Sequence, residues 1–350
     1  MSSSKSSRKV KRTNFATLSK GIIKAGYCAS CGACVSVCPV NSIEMHNDLP
    51  KLVSTCISCG ACVDACYRFQ KREKQKQAAM NPNDILEIYT ARTKDENIYS
   101  QAQNGGVVTT LLVHALKEGM IDGALITGQY STLFEPKSLL VNSPEGVIQG
   151  AGSKYVISNS LTKLDAIRTS HKKKAAVVGV PCHIESLTRI MQFGYLGLEH
   201  RVALKIGLFC MHSYDKNLLK QFVADKFNIS PEQIIKMDID KGKFIFITET
   251  EKYKVKLSEV DSAFYNGCHY CSDFTAEYAD IAVGNIGVDA KSNVVVIRTQ
   301  KGKELFDSAI EKGLLDVIMI DPQEWEAKFG LVFKLEKRKK KEVKPLPPLD

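Results

Sequence analysis

The sequence predicts an α+β protein in two parts, a compact cysteine-rich module followed by a larger mixed α/β domain. Two observations support this division. Eight of the twelve cysteines lie between Cys28 and Cys66, and the other four are spread over the rest of the chain. From about Asp84 onward, apolar runs of strand length alternate with apolar residues at helical spacing. Such alternation is typical of a mixed sheet with helices packed on its faces.

Changes in composition divide the chain into five segments. The first, residues 1–20, is basic and serine-rich and predicts a disordered tail. The third, residues 70–83, is polar, ends in Asn-Pro-Asn and predicts a linker. The second holds the clustered cysteines, the fourth is the α/β domain, and the fifth predicts a charged helix with a proline-rich end. The segments are residues 1–20, 21–69, 70–83, 84–320 and 321–350.

Hydrophobic periodicity predicts several strands and helices in the α/β domain. Apolar residues at helical spacing follow Gly106 and recur over residues 161–167. Residues 243–248 and 253–257 alternate between polar and apolar side chains and predict a hairpin. Further strands are predicted at residues 123–127, 175–179, 202–209, 281–283 and 294–298, and a final helix at residues 325–341.

The net charge of +10 is carried by the two ends of the chain. Residues 1–24 have a net charge of +7 and residues 334–350 a net charge of +4, which leaves the body near neutral. Charge runs at termini are usually solvated tails. The sequence has no helix-turn-helix pattern and no basic stripe with interleaved aromatic residues. The charge therefore does not indicate a nucleic-acid-binding protein.

The cysteine content indicates a reducing compartment. No apolar run reaches the roughly 18 residues that a membrane-spanning helix needs, and no apolar segment follows the basic N-terminal stretch as in a secretory signal. Twelve cysteines in such a chain are expected to serve metals or redox chemistry. We therefore expect a cytoplasmic protein, either free or peripheral to the inner face of a membrane through partner subunits.

The eight clustered cysteines form two copies of the motif Cys-x2-Cys-x2-Cys-x3-Cys. The x2 spacings wrap the chain around three corners of a cubane cluster, and in two-cluster ferredoxins the fourth cysteine binds the other cluster. Gly32 and Gly60 follow the second cysteine of each motif and allow a tight turn. The pattern predicts a bacterial-type two-cluster ferredoxin module with two 4Fe-4S clusters. The predicted ligands are Cys28, Cys31, Cys34 and Cys66 for one cluster and Cys56, Cys59, Cys62 and Cys38 for the other.

Zinc binding and disulfide bonding are weaker interpretations of these eight cysteines. Zinc sites use four ligands in two pairs, rather than two groups of four at this spacing. A disulfide framework conflicts with a reducing compartment. Two adjacent clusters form a path for electrons, so a source and a sink are expected elsewhere.

The four remaining cysteines leave several interpretations open. Cys182 and Cys210 each follow a predicted strand, where a lone cysteine is most often a small buried apolar residue. Cys268 and Cys271 form a Cys-x2-Cys pair, which suits a zinc half-site or a redox dithiol. Together the four would also supply the thiolates of a third cluster. Each of the three histidines beside these cysteines has three interpretations: a ligand, a hydrogen-bond donor to sulfur or an ordinary core residue. They are His183, His212 and His269.

Two loops are candidates for phosphate binding. The first is a Gly-Gly pair that opens a helix, and a helix N-terminus offers free N–H groups to an anion, although such a pair is more often a simple turn. The second places a lysine beside a tyrosine, and a solvated lysine is the simpler interpretation. The residues are Asn104, Gly105, Gly106 and Thr109 in the first loop and Gly152, Ser153, Lys154 and Tyr155 in the second.

The chain contains, in order, GGVVTTLLVHALKEGMIDGALITG, AGSKY, VVGVPCHIESL, IGLFC, KMDIDKGKF and CHYCSDFTAEYADIAVGNIG. Together these stretches resemble the beta subunit of the coenzyme F-420 hydrogenase/dehydrogenase family, from about Tyr89 to the proline-rich end. The cysteine module in front resembles the two-cluster, ferredoxin-fused type of this family, which includes electron-input subunits of archaeal respiratory complexes. Asn104 stands where Ser or Asp is commoner, and residues 289–292 replace a turn that contains Gly and Trp.

The resemblance implies an iron–sulfur flavoprotein. Family members bind FAD and a 4Fe-4S cluster in the α/β domain and pass hydride between FAD and coenzyme F-420. The flavin therefore carries the chemistry, and no side chain is assigned as catalytic. By motif, the third cluster falls on Cys182, Cys210, Cys268 and Cys271, and the FAD contacts fall on the two loops above and on Pro181.

The resemblance further implies that the protein oxidises reduced coenzyme F-420 by hydride transfer to FAD and passes single electrons through three 4Fe-4S clusters. The expected partners are coenzyme F-420 and electron-accepting or electron-donating subunits of a larger complex, with or without membrane association. One alternative is the beta subunit of an F-420-dependent formate dehydrogenase or hydrogenase that works towards F-420 reduction. Others are a ferredoxin-linked reductase of another organic substrate and a non-catalytic electron relay.

Overall fold

A computed structural model describes residues 13–69, 84–129, 131–170, 174–288 and 291–347. Residues 1–12 of the predicted tail and the predicted linker at 70–83 lie outside the described residues. The described chain forms a small module of short helices around one hairpin, and a large domain with an eight-stranded and a three-stranded sheet. No helix in these ranges is long and apolar enough to cross a membrane.

The small module repeats one local structure at each cysteine motif. Gly32 and Gly60 both have a φ of +85°, a left-handed conformation that glycine adopts without steric cost. Each glycine immediately precedes a one-turn helix, Ala33–Ser36 (α2) or Ala61–Asp64 (α3), so the predicted tight turn is confirmed at both motifs. An antiparallel hairpin of Ile43–His46 (β1) and Leu49–Leu52 (β2) joins them.

The predicted disordered tail is wrong for residues 13–20. They form a short helix, Phe15–Leu18 (α1), that continues into a π-helical turn, Ser19–Ile23. The Asn14 side chain caps α1 by accepting a hydrogen bond from the Thr17 N–H at 3.1 Å. Phe15, Leu18 and Ile22 are buried in the core of the small module. Their helical spacing is a sequence signal that the serine-rich composition obscures.

The large domain is built on an eight-stranded mixed sheet. In order across the sheet its strands are Leu315–Ile320 (β13), Glu87–Thr93 (β3), Asn293–Ile297 (β12), Ile281–Gly284 (β11), Val202–Leu208 (β7), Ala175–Gly179 (β6), Gly123–Gln129 (β4) and Pro136–Val141 (β5). Strands β11, β7, β6 and β4 are parallel neighbours, and antiparallel strands complete both sides. All five residues of β6 are buried, as expected of a parallel strand that is covered on both faces.

The predicted strands are confirmed to within two residues at each end. Three further strands of the sheet, β3, β5 and β13, were not predicted. Outer strands carry a less continuous apolar pattern, and β13 is exposed at three of its six residues. The pattern that identified the central strands was therefore too weak at the outer ones.

The three-stranded sheet forms a separate apolar core beside the main sheet. The predicted hairpin is confirmed as Lys243–Ile247 (β9) and Lys252–Lys256 (β10), and Lys236–Asp240 (β8) adds a third strand. Phe244 and Phe246 of β9 are fully buried. The ring of Tyr155 packs against Phe244 with centroids 5.4 Å apart, so the loop that carries Tyr155 lies against this sheet.

Helices cover both faces of the main sheet. One face is covered by Glu96–Gln101 (α4), Val107–Lys117 (α5), Pro144–Gln149 (α6) and Gln300–Glu311 (α10), whose buried residues share one core. The other face carries Leu164–Thr169 (α7) and Pro181–Gln192 (α8), and Lys216–Phe227 (α9) packs in the core of the three-stranded sheet. Residues Ala33, Val37, Ala61 and Ala65 of the small module belong to the same apolar core as α7 and α8. The small module is therefore docked on this face.

The C-terminal helix is an integral part of the large domain. It spans Trp325–Glu342 (α11), close to the predicted 325–341. Phe329 and Val332 are buried against Val294 and Ile88 of the main sheet, and Lys339 is buried further along the helix. The predicted domain boundary at residue 320 therefore separates α11 from the core against which it packs. Residues 348–350 lie outside the described residues.

Candidate functional site

The small module contains two cavities, each lined by four cysteines. Each cavity takes three cysteines from one motif and the fourth from the other, which is the grouping that the ferredoxin pattern predicts. We call them the proximal set, which lies against the large domain, and the distal set, which lies at the surface. The proximal set is Cys28, Cys31, Cys34 and Cys66, and the distal set is Cys38, Cys56, Cys59 and Cys62.

Backbone N–H groups are directed at several of these sulfurs. The Ser30 N–H donates to Cys28 Sγ at 3.3 Å. The N–H groups of Phe15 and Ser58 lower the pKa of the Cys56 thiol. Such donors favour negative charge on sulfur. The segment before the first motif, predicted as a tail, thus contributes a donor to the distal set.

Four cysteines of the large domain come together at the carboxyl end of its parallel strands. Cys182 follows β6 and Cys210 follows β7, whereas Cys268 and Cys271 enter from a helical turn, Asn266–Tyr270. Burial, reinforced by the charge of Cys271 and other neighbouring cysteines, raises the pKa of Cys182 well above its ordinary value. We call these four the core set. Their position agrees with the general placement of ligands at the carboxyl edge of parallel sheets.

Several of these thiols are difficult to ionise without a bound metal. Burial is the largest cause, and it raises the pKa of Cys28, Cys62 and Cys268 to about 12. Metal coordination needs thiolates, so loading the three sets must displace protons. Among the described residues, no group of three or more His, Cys, Asp or Glu side chains is arranged to hold a single metal ion. A cubane assigns each ligand to a different iron atom, whereas a single zinc ion takes all four ligands itself.

The core set and the proximal set meet at the contact between the two modules. Cys31 Sγ lies 3.5 Å from Ser186 Oγ on α8, and the charge of Cys31 contributes to the raised pKa of Cys182. A Cβ added to Gly267, beside the core set, would lie 2.0 Å from the Cys28 carbonyl oxygen. Since only glycine permits this approach, backbone packing holds the two sets next to each other.

Polar and aromatic contacts extend this junction. The Asn266 side chain donates to the Gly26 carbonyl oxygen at 2.8 Å. The rings of Tyr27 and Tyr270 pack edge to face with centroids 4.6 Å apart. Tyr270 lies inside the Cys-x2-Cys pair, so the small module contacts the very loop that carries two core cysteines.

The distal set reaches the surface of the small module. Cys59 is exposed, whereas Cys34 of the proximal set is buried. Val40 and Ile57 line the distal cavity and are themselves 42% and 55% exposed. The three sets therefore run in order from the interior of the large domain to the surface of the small module.

The two candidate phosphate loops lie side by side at the same edge of the main sheet. Gln103 Oε1 accepts a hydrogen bond from the Ser153 N–H at 3.4 Å, which joins the loops. Asn104 Oδ1 accepts one from Asn285 Nδ2 at 3.0 Å, and Asn285 follows strand β11. The structure therefore brings together two segments about fifty residues apart, with a third loop beside them.

Packing explains the glycine pair of the first loop. A Cβ on Gly105 would lie 2.7 Å from both the Ala91 carbonyl oxygen and Asn293 Oδ1, and Gly106 has a φ of +71° at the start of α5. The first N–H of α5 donates to Asn293 Oδ1 at 3.4 Å. Thr109, in the first turn, is buried. The turn interpretation thus accounts for both glycines, and any bound anion would meet the later N–H groups of the helix.

Lys154 is a half-buried cation that folds back on its own loop. Its Nζ donates to the carbonyl oxygens of Gly150, Ala151 and Gly152 at 2.6, 2.8 and 2.9 Å. Burial lowers the pKa of Lys154 to about 8. These three acceptors use all three N–H donors of the ammonium, so Lys154 is held by its own loop rather than freely solvated.

One short segment connects the Lys154 loop to the core set. The Tyr155 carbonyl oxygen accepts a hydrogen bond from the Tyr214 N–H at 2.9 Å. Within the same segment, Cys210 lies four residues before Tyr214, and the Ser213 N–H donates to Cys268 Sγ at 3.4 Å. A group bound at this loop would therefore lie close to the core set.

Two histidines and a proline lie near the core set. His183 Nε2 lies 3.1 Å from the Ser158 carbonyl oxygen, and burial lowers the pKa of His183 to about 4. His212 stacks on Phe264 with ring centroids 4.4 Å apart. Pro181 is the buried first residue of α8, where a missing N–H removes no helical hydrogen bond. Burial disfavours the charged form of both histidines by lowering their pKa.

Two buried cations beside the cysteines were not predicted. Arg68 follows Cys66 by two residues, and Lys339 lies on α11. For Arg68, the sequence did offer a signal, since a charged residue stands two positions after the last cysteine of the second motif. Lys339 is one of five consecutive basic residues, and only the packing of α11 distinguishes it from the others.

Comparison with known protein families matches both parts of the chain. The 4Fe-4S dicluster domain matches residues 2–83. The N-terminal and C-terminal parts of the coenzyme F-420 hydrogenase/dehydrogenase beta subunit match residues 88–165 and 172–323. The chain belongs to this beta-subunit family. The resemblance found in the sequence is thereby confirmed, and the protein is an F-420-related oxidoreductase subunit with a 4Fe-4S dicluster domain.

Individual relatives support the same family. The beta subunit of the coenzyme F-420 hydrogenase of Methanothermobacter thermautotrophicus is 32% identical over 260 residues, which cover 73% of this chain and 92% of the relative. A subunit of the F(420)H(2) dehydrogenase of Methanosarcina mazei is 29% identical over 303 residues, which cover 82% of this chain and 83% of the relative. A solved structure of the F-420-reducing NiFe hydrogenase complex of Methanosarcina barkeri contains a chain that is similar in fold to this protein. The two chains superpose with a TM-score of 0.70 and are 30% identical. The match covers 75% of this chain and 91% of the hydrogenase chain.

Replacing Gly267 with Ala should disturb the junction between the modules. The added Cβ would collide with the Cys28 carbonyl oxygen, which belongs to backbone and has little room to move. We expect a loss of roughly 1–3 kcal/mol in the free energy of unfolding, measured by anaerobic urea denaturation of the loaded protein. The matched control is Gly330→Ala on α11, where no atom lies within 4 Å of the added Cβ. Equal stability of the two variants would show that the junction is not tightly packed.

Proposed function

We propose that the chain oxidises reduced coenzyme F-420 and passes the electrons singly through the core, proximal and distal sets to a partner subunit. The proposal assigns one 4Fe-4S cluster to each set and FAD to the two loops beside the core set. When bound, FAD would exchange hydride with coenzyme F-420 and single electrons with iron–sulfur clusters, a conversion that the clusters cannot perform. The protein's own task is to hold these groups in order and in close succession.

The observation that carries this proposal is the unbroken succession of the cysteine sets. Cys182 of the core set is an electrostatic neighbour of Cys31 in the proximal set. Cys34 of the proximal set is likewise a neighbour of Cys62 in the distal set. The distal set ends at the exposed Cys59. Electrons pass efficiently only between closely spaced centres, so this succession supplies one path from the interior to the surface.

The FAD site proposed here uses a cation and a helix N-terminus rather than acid–base side chains. Lys154 would offer its charge to the pyrophosphate, and the later N–H groups at the start of α5 would offer hydrogen bonds. The aromatic packing of Tyr155 on Phe244 would keep the Lys154 loop in place. The proposed contact residues are Asn104, Gly105, Gly106, Thr109, Gly152, Ser153, Lys154, Tyr155 and Pro181.

The match to the dehydrogenase of Methanosarcina mazei favours oxidation of the reduced coenzyme. The alignment with this dehydrogenase subunit spans 303 residues and is longer than the alignment with the hydrogenase beta subunit. The Methanosarcina mazei relative is named as a dehydrogenase of F(420)H(2). A second candidate follows from the F-420-dependent sulfite reductase of Methanocaldococcus jannaschii, which is 34% identical over 302 residues but of which this chain covers only 46%. In that case the electrons would serve a reductase acting on another substrate. In both candidates the acceptor is a partner protein or domain, either free or at a membrane.

The direct test of the proposed function is anaerobic oxidation of reduced coenzyme F-420 with a small artificial acceptor. We expect turnover with reduced F-420 and none with NADH, since the proposal rests on a site for the deazaflavin. Turnover without bound FAD, or equal turnover with NADH, would contradict it. A matched control deletes residues 2–12, which carry five basic residues and no cysteine. Its turnover with the small acceptor should equal that of the full chain.

Cysteine variants should separate the order of the carriers. Cys59→Ser should leave reduction of FAD by reduced F-420 intact and stop transfer to the natural partner, because the distal set is last in the path. Cys268→Ser should leave electrons on FAD, because the core set is first. Stopped-flow spectra of the flavin band measure both effects. If Cys59→Ser abolished flavin reduction while FAD stayed bound, the small module would have to be on the input side.

Iron content tests the number of clusters. Three cubanes on twelve cysteines require about twelve iron atoms per chain. Cys210→Ser should lower this value to about eight, because the core set shares no cysteine with the other two. Colorimetric iron analysis with electron paramagnetic resonance of the reduced protein measures the count. A value of eight in the unsubstituted protein would remove the cluster from the core set.

The charge of Lys154 should make FAD binding depend on pH. Burial lowers the pKa of the free lysine to about 8, whereas a bound pyrophosphate favours its charged form and raises that pKa. FAD affinity should therefore be constant below pH 8 and fall as the pH rises above it. Lys154→Met should weaken FAD binding at pH 7 by about tenfold and remove this dependence, whereas Lys154→Arg should keep the affinity constant to higher pH. Release of flavin on ultrafiltration measures each case, and an unchanged profile in Lys154→Met would remove Lys154 from the site.

A further inference from the structure

Arg68 is buried at the junction of the two modules. It belongs to the small module, and only 1% of it is exposed. Its Nε donates to the Tyr67 hydroxyl at 2.7 Å, and its guanidinium carbon lies 5.9 Å from the ring centre of Tyr270, between the two cysteines of the core pair. Its charge acts on Cys28 and Cys66 of the proximal set and on Cys182 and Cys271 of the core set.

One donor of this guanidinium has no protein acceptor. Arg68 Nη1 is buried and makes no hydrogen bond within the described part of the chain. A buried charged donor without an acceptor is costly unless a negative group faces it. The groups around Arg68 that acquire negative charge on metal binding are the cysteines of both sets. The lack of an acceptor for Nη1 among the described residues therefore fits negatively charged centres at both sets.

Lys339 reaches the core set from the C-terminal helix. It is 4% exposed, and its Nζ donates to the carbonyl oxygens of Cys210 at 2.5 Å and Asp273 at 2.7 Å. The nearby Asp273 carboxylate accepts a hydrogen bond from the Glu277 N–H at 3.0 Å. The cysteines nearest to Lys339 all belong to the core set. Unlike Arg68, Lys339 therefore acts on one set alone.

We propose that Arg68 and Lys339 set the reduction potential of the core centre, and that Arg68 also raises the potential of the proximal centre. This inference rests on the proposed function, because it takes each set to hold a cluster. Reduction adds one negative charge to a centre, and a buried cation stabilises that charge more strongly than an exposed one does. Both cations thus favour the arrival of an electron at the core set. Since Arg68 comes from the small module, docking of that module completes the environment of the core centre.

The two cations predict different patterns of change when they are neutralised. Arg68→Met should lower the midpoint potentials of the core and proximal centres, whereas Lys339→Met should lower that of the core centre only. We expect an effect of about tenfold in the one-electron equilibrium, which corresponds to about 59 mV. The distal centre should be unchanged in both variants. The matched control is Lys337→Met, which removes the same charge from an exposed position of α11 and should shift no centre.

Anaerobic redox titration monitored by electron paramagnetic resonance measures these potentials, with each signal assigned through Cys59→Ser and Cys268→Ser. Arg68→Lys and Lys339→Arg keep the charge and should keep the potentials, which separates charge from packing. If Arg68→Met loses iron, Arg68→Gln supplies the neutral variant. Unchanged potentials in neutral variants with full iron content would overturn the inference. An unsubstituted protein with no core cluster would instead overturn the proposed function.

Discussion

Electron transfer between buried centres requires that they lie close together, and the contact of Gly267 with the Cys28 carbonyl meets this requirement here. It places the Cys-x2-Cys turn of the large domain directly against the first cysteine of the small module. The ring contact of Tyr27 with Tyr270 and the approach of Cys31 to Ser186 follow from the same docking. This docking brings the core set of the large domain next to the proximal set of the small module.

The electrostatic environment of the junction follows from this docking. Burial makes Cys34 and Cys182 reluctant to ionise, and repulsion from neighbouring cysteines raises their pKa further. Metal binding reverses the balance by replacing protons with iron, and buried cations then stabilise the negative charge that remains. Arg68 and Lys339 come from opposite ends of the chain, yet both reach the core set. The charge of a cluster bound by the core set would therefore be balanced by residues outside its own ligand loops.

The proposed flavin site depends on a different part of the fold, the carboxyl edge of the parallel strands. The sequence suggested two loops there but offered no reason for them to meet. Their contact depends on Gln103, which bridges to Ser153, and on Asn285 after β11, which holds Asn104. The glycine pair suggested a phosphate motif, but the fold explains both residues. Gly105 packs closely against Ala91 and Asn293, and Gly106 has a positive φ. Lys154, which composition alone would assign to solvent, is half-buried and donates to three carbonyl oxygens of its own loop.

The sequence alone determined the two ferredoxin motifs and the central strands, because these features are encoded by residues only a few positions apart. Cysteines separated by two residues wrap the chain around one cluster, whatever the module packs against. A run of five apolar residues predicts a buried strand. The tertiary structure alone decided which distant residues share a site. Cys182 and Cys271 are 89 positions apart and meet only because β6, β7 and the turn after Tyr265 end at the same edge of the sheet. The buried state of Arg68 and Lys339 was likewise decided by packing, because charged side chains are usually exposed.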